Sequence, residues 1–561
     1  MKLRTKMWQR QAALLLAVSL LAAPGLARQE AAAVGVSTAR AAALSGAERE
    51  AVGRVKLETI REVTAALSAK EMEGRGTGQP GADRAAQYIA DRFARLGLKP
   101  LGEKNSYLQP IKFREFQLAP ETSFRADDVP LKLGEDYYVA PPHSGDEDVS
   151  GRLVFVAYGL QANTPKRDDL KGMDVRGKIV VLVAGPPKGV SKADWDKANA
   201  SLLIMRGLVM AGAAGLVITN SGTEKMPYAT MADYLTRRQV ELADAQQMPA
   251  ELPPFVAVSD AGAEKLFEGS GTTYKEALAR AEAGEFVSRD LKRSAKIKVK
   301  FKSAKVTSSN VVGLLEGSDP KLKEEAVVYT AHYDAWGLAA DGRVYHGAAD
   351  NALGVGEMVA IAEAMAAAPQ RPRRSVIFLA VTGEEHGLYG AEHWAKNPTW
   401  KIKQVAANLN FDGTGTEIHG PLKKIVGFGM EHSDLGEMLT AVSAAMGVSI
   451  IPDPMPEEKT FYRSDHYAFV KKGVPALMLL GAADVSKERL VESMKEYDRT
   501  HYHQPTDTIT PAWDWQGPLG LAQLGLVLGM RVADAEAMPS WLKSSPLNRP
   551  RGTNEPPPPM N

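Results

Sequence analysis

The chain has 561 residues, no cysteine, and 68 Lys plus Arg against 67 Asp plus Glu. That length exceeds what one compact core holds, so two or more domains are expected. The near-balanced charge, with no basic run interleaved with aromatics, argues against a nucleic-acid partner. The missing thiols exclude disulfides, a lipid-modified cysteine and a cysteine nucleophile.

Residues 1–27 read as a secretory signal. Lys2, Arg4, Lys6 and Arg10 form a basic start, Ala12 to Ala23 an apolar stretch, and Gly25-Leu26-Ala27 a small-residue cleavage site. The apolar stretch falls short of the roughly 20 residues a membrane span needs, and no later segment resembles one. The expectation is an exported protein, periplasmic or extracellular, with no stable membrane span. Residues 28–46 are an alanine-rich linker. Helical patterning follows: Val52, Leu57, Ile60, Val63 and Leu67 trace one stripe, and Ala85, Ile89, Phe93 and Leu96 a second that stops at Gly97. The loop between them, Glu73-Gly74-Arg75-Gly76-Thr77-Gly78-Gln79-Pro80-Gly81, neither follows a strand nor matches a phosphate-binding pattern, so it reads as a connector.

From about 140 to 300 the texture changes. Residues 152–157 and 178–183 read as strands, and 205–218 as a helix running into another strand. This stretch holds no acid–histidine cluster and looks like an inserted module, interrupting a main domain that takes 47–139 and 301–540. In the latter part, strands are expected over 325–331, 375–381, 405–411 and 474–480, with a helix over 351–368. A βαβα series of this kind gives a mainly parallel sheet flanked by helices. Residues 541–561, with Pro556 to Pro559, read as a disordered tail.

The chemistry collects where these strands end. The first runs into His332-Tyr333-Asp334, the second into Glu384-Glu385, the third into Asp412. Asp350 opens the intervening helix, and His501-Tyr502-His503 comes late in the chain. Ligands of parallel sheets bind outside the carboxyl ends of the strands. Nitrogen and oxygen donors without thiolate suit zinc, with cobalt or manganese as substitutes. Two histidines and three carboxylates serve two metals if one carboxylate bridges, and Asp350 is assigned that part. Glu384 is then surplus to coordination and available as the general base. Asp334, two residues from His332, is placed to accept its second ring N–H. His386, His393, His419 and His432 read as surface or helix residues. His346, Arg463 and His466 stay unassigned.

The order His-x-Asp, Asp, Glu-Glu, Asp, His resembles the co-catalytic zinc exopeptidases of metallopeptidase family twenty-eight, which includes secreted aminopeptidases and glutamate carboxypeptidase. Glu73 to Leu98 is similar to the family's amino-terminal helical region, and Ser309 to Gly317 to its lead-in strand. The resemblance implies an α/β fold of the phosphorylase/hydrolase-like zinc exopeptidase class, a mixed, largely parallel sheet sandwiched by helices, with residues 140–300 as an inserted, mainly-β protease-associated (PA) domain. It implies two zinc ions per chain, one held by His332, Asp350 and Asp412 and the other by Asp350, Glu385 and His503. It also implies Glu384 as base, Asp334 behind His332, and Tyr502 as support for the oxyanion. His503 is preferred to His501 because it leads into Gln504-Pro505-Thr506-Asp507. The function implied is removal of amino-terminal residues from peptides by metal-activated water. A glutamate carboxypeptidase-like enzyme, a glutaminyl cyclotransferase and a catalytically silent binding scaffold are the alternatives. Neither the preferred side chain nor the oligomeric state is encoded in these motifs.

Overall fold

A computed structural model describes residues 43–140, 145–163, 166–220, 227–245, 253–413 and 415–558. The signal segment and nearly all of the linker lie outside the described residues, as do Thr414 and the last three residues. Two compact units are present, one of residues 116–239 and 245–304, the other of the remaining described chain.

The larger unit is built on a sheet whose central strands are β1 (Leu108–Leu118), β2 (Phe301–Leu315), β3 (Ala326–His332), β4 (Ser375–Val381), β5 (Val405–Phe411), β6 (Lys424–Phe428) and β7 (Ala476–Ala482). They lie in the order β1-β2-β4-β3-β5-β7-β6. Strands β4, β3, β5 and β7 run parallel, while β2 and β6 flank them antiparallel. The expected strands thus form within two residues of their expected limits. Their apolar runs are continuous because both faces are covered. The strand period of two sends Val327, Tyr329 and Ala331 to one core with Ile60, Met358 and Leu528, and Val328 to the other with Trp394 and Phe469. The helices on the first face are α1 (Leu57–Leu67), α2 (Pro80–Arg95), α3 (Leu353–Ala366) and a long carboxyl-terminal helix, Gln516–Asp534.

Packing between that last helix and the sheet is close enough to make a glycine obligatory. A Cβ at Gly529 would fall 1.7 Å from the Tyr329 hydroxyl, which donates to Gly525 O at 2.9 Å. Gly529→Ala should therefore destabilise the protein by about 1–3 kcal/mol through overpacking. A urea midpoint equal to that of the parent would contradict this.

The carboxyl-terminal segment corrects the expectation of a disordered tail. Trp541 donates to Gly473 O, Leu547 is fully buried, and Arg551 donates to the carbonyls of Val405 and Ala406. Apolar and cationic side chains spaced between the prolines find partners beneath the sheet, which composition alone does not register.

The smaller unit begins at Phe116 rather than 140, because the short strands Ser123–Ala126, Val129–Leu131 and Tyr137–Val139 belong to its own eight-stranded sheet. It is mixed α/β rather than mainly β: helices Asp260–Phe267 and Tyr274–Glu282 bury Leu266, Phe267, Tyr274 and Ala277 in one core with Phe155 and Ile297.

Candidate metal centre

Parallel β3, β4 and β5 end at one edge of the sheet, so His332, Glu384, Glu385 and Asp412 emerge together. Asp350 lies in an irregular turn just before α3, not in the helix itself. His503 follows the helix Lys487–Thr500, with a left-handed φ of 58°. The donors fall into two sets, His332 with Asp350 and Asp412, and Asp350 with Glu385 and His503. His332 Nε2 is 3.2 Å from both Asp350 Oδ1 and Asp412 Oδ1. His503 Nε2 is 3.4 Å from Asp350 Oδ2 and 2.8 Å from Glu385 Oε2. Asp350 thus offers one oxygen to each set. Donors about 2.1 Å from a tetrahedral zinc stand about 3.4 Å apart, so the sets fit that ion.

Glu384 belongs to neither set, its Oε2 lying 3.9 Å from His332 Nε2. The Asp334 carboxylate does not take the second ring N–H of His332. The main-chain carbonyl of Asp334 does so at 3.1 Å, while Oδ1 is 3.8 Å away. The carboxylate instead accepts from Thr77 Oγ1 at 3.0 Å and from the Glu384 N–H at 3.2 Å. The Tyr502 ring stacks on His503 with centroids 3.7 Å apart, and Arg463 Nη2 donates to its hydroxyl at 3.3 Å. Trp336 stands 5.2 Å from the His503 ring and 4.9 Å from His386.

Six acids, Asp334, Asp350, Glu384, Glu385, Asp412 and Asp465, converge on two imidazoles, which is an excess of buried negative charge. Burial pushes the carboxyls of Glu384, Glu385, Asp334 and Asp465 above the usual range. Burial also works to lower His503, but Glu385 and Asp350 overcome it and hold the imidazole at about 9. Both Asp465 oxygens are buried without a hydrogen-bond partner. Concentrated, underpaired carboxylates of this kind are costly unless a cation is bound among them.

Residues 310–524 match the model of peptidase family M28. The chain carries a peptidase family M28 domain. Over 108 residues it is 36% identical to a vacuolar membrane protease of Clavispora lusitaniae, a match covering 19% of this chain and 10% of that protein. Over 115 residues it is 37% identical to a probable zinc metalloprotease of Leptosphaeria maculans, covering 20% of this chain and 25% of that one. The chain therefore spans a quarter or less of the length of these relatives. The fold is similar to that of an aminopeptidase from Aneurinibacillus sp. strain AM-1, with a TM-score of 0.58, 20% identity, and coverage of 88% of this chain and 97% of the other. Among the described residues no helix is long and apolar enough to cross a membrane.

The M28 domain draws on residues that the motifs did not single out. Along β5, Asn408 and Asn410 lead toward the metal edge: Asn410 Nδ2 donates to Ser464 Oγ at 2.7 Å, and Ser464 donates on to Asp412. The signal was two asparagines in a fully buried strand. The supposed connector loop turns out to support the centre, through Thr77 and the buried Arg75. Its glycines mark close backbone approach, since a Cβ on Gly74, at φ 66°, would lie 2.4 Å from Tyr345 O. His346 is structural, its Nδ1 donating to Ser68 O at 2.8 Å. His466 is buried against Phe461 and kept neutral by that burial, which lowers it to about 3.

Proposed function

We propose that the chain is an exported exopeptidase that holds two zinc ions and removes amino-terminal residues from peptides. The observation that carries this reading is the double use of Asp350, one oxygen toward each donor set, with Glu384 beside His332 and in neither set. His332, Asp350 and Asp412 would hold one zinc and Asp350, Glu385 and His503 the other. When bound, the ions supply Lewis-acid polarisation of the scissile carbonyl and make water a nucleophile at neutral pH.

The chain's own residues supply the rest. Glu384, its main chain pinned to Asp334, takes the proton of the attacking water and delivers it to the leaving amine. The Tyr502 hydroxyl, backed by Arg463, donates to the developing oxyanion. The surplus of carboxylates gives a free α-amino group its counter-charge, which favours substrates with an unblocked amino end. Residues 116–239 and 245–304 stand as the inserted PA domain. Export rests on the basic, apolar and small-residue order of residues 1–27.

Arg463 supports a second reading. Its side chain is 48% exposed beside Tyr502, where a guanidinium would clamp a substrate's terminal carboxylate in a carboxypeptidase. Zinc content measured alongside a panel of free, amino-blocked and carboxy-blocked peptides separates the two. The expected result is two zinc ions per chain, cleavage of amino-free peptides whether or not the carboxyl end is blocked, and no cleavage of amino-blocked ones. Cleavage of amino-blocked peptides from the carboxyl end would sink the aminopeptidase reading.

A further inference from the structure

Two charged side chains outside either donor set grip the segment that carries Asp350, one by its carbonyls and one by its amides. Arg75 is fully buried, with Nε donating to Tyr333 O at 2.5 Å, Nη1 to Leu67 O at 2.6 Å and His346 O at 2.7 Å, and Nη2 to Gly347 O at 2.8 Å. Asp507 takes the Ala349 N–H on Oδ1 at 2.9 Å and the Asp350 N–H on Oδ2 at 3.0 Å, while its own carbonyl accepts from Ala348 N at 3.2 Å. From His346 to Asp350, each residue therefore has a main-chain group held by one of the two. Arg75 also reaches Tyr333, between His332 and Asp334, so a single guanidinium ties the end of β3 to the Asp350 turn. Only arginine offers a planar fork with enough donors to do this. All of its acceptors are main-chain carbonyls, so its charge acts at a distance on Asp507, Asp334, Asp350 and Glu385.

We infer that Arg75 and Asp507 form a brace that fixes Asp350 where it can serve both zinc ions, and so set the protein's zinc affinity. They are positioning residues, touching neither substrate nor metal. The inference rests on the two-zinc reading of the centre. Partners one step removed from a metal orient the ligands, and losing one typically costs about 10- to 100-fold in metal affinity.

The test uses the full chain and its Arg75→Lys, Asp507→Asn and doubly substituted forms. Zinc alone is titrated in competition with a chromophoric chelator, and near-ultraviolet circular dichroism of the zinc-free proteins checks folding. Each single variant should bind zinc about 10- to 100-fold more weakly at both sites together, because both share Asp350. The double variant should lose less than the product of the single losses, since both residues hold one segment. Asp507→Asn is nearly isosteric and keeps the test decisive if Arg75→Lys does not fold. Parent-like zinc affinity in either folded variant overturns the brace, as does a fall in kcat with both ions still bound as tightly. A parent protein that binds two zinc ions but cleaves no peptide would refute the peptidase reading while leaving the affinity comparison intact.

Discussion

Glu384→Gln should keep two zinc ions per chain and lose hydrolysis of an amino-free peptide by about 10²- to 10⁴-fold, the usual worth of a positioned general base. The substitution preserves shape while removing the carboxylate's charge and its capacity to accept a proton. Neither donor set uses Glu384, so zinc content, read by elemental analysis, should equal that of the parent. Its main-chain N–H still reaches Asp334, so the backbone has no reason to move. The effect should fall on kcat with KM little changed, because the lost interaction is made at the reacting atoms rather than with the bound peptide. Asp465 is the competing base, a buried carboxylate close enough to raise Glu384. Turnover within tenfold of the parent would dismiss Glu384 and make Asp465 the next substitution. A large loss accompanied by loss of zinc would instead make Glu384 a ligand.

How much of this centre was legible in the sequence depends on what each residue bonds to. His332, Glu384, Glu385 and Asp412 stand at the ends of strands that are buried on both faces, and such strands announce themselves as unbroken apolar runs. Once the strands were placed, parallel order brought their ends together. Arg75 gave no comparable signal: its acceptors are main-chain carbonyls, three of them more than 250 residues away, and any sequence presents carbonyls. Asp507, whose carboxylate accepts from main-chain amides, was hidden in a similar way, and Thr77, which donates to the Asp334 carboxylate, lies in a loop whose shape only the folded chain defines. Asp334 illustrates a finer limit. Spacing put it beside His332, but the main-chain carbonyl and the carboxylate of one residue exchanged the expected tasks. In the smaller unit, strands of three or four residues carry too little periodicity to mark where the module starts, and their pairing set the boundary at Phe116. Proline-rich composition misled at the carboxyl end because a few well-spaced anchors, Trp541, Leu547 and Arg551, outweigh it.

Asp350→Ala should empty both zinc sites, whereas Asp412→Ala and Glu385→Ala should each empty one. Asp412 faces only His332 and Glu385 only His503, so either loss leaves the opposite three-residue set intact. Asp350 is common to both, with Oδ1 3.2 Å from His332 and Oδ2 3.4 Å from His503, and its removal leaves each site with two donors. The remaining carboxylates cannot compensate by sliding inward. Asp412 is fixed by Ser464, and the turn that carried Asp350 is held by Asp507 and Arg75. Hydrolysis should fall by at least about 10³-fold, the consequence of losing the several kcal/mol of charge stabilisation that bound metal supplies. Elemental analysis after dialysis against a weak chelator distinguishes the cases. One zinc retained at full occupancy in Asp350→Ala would mean that the two sites do not share a ligand.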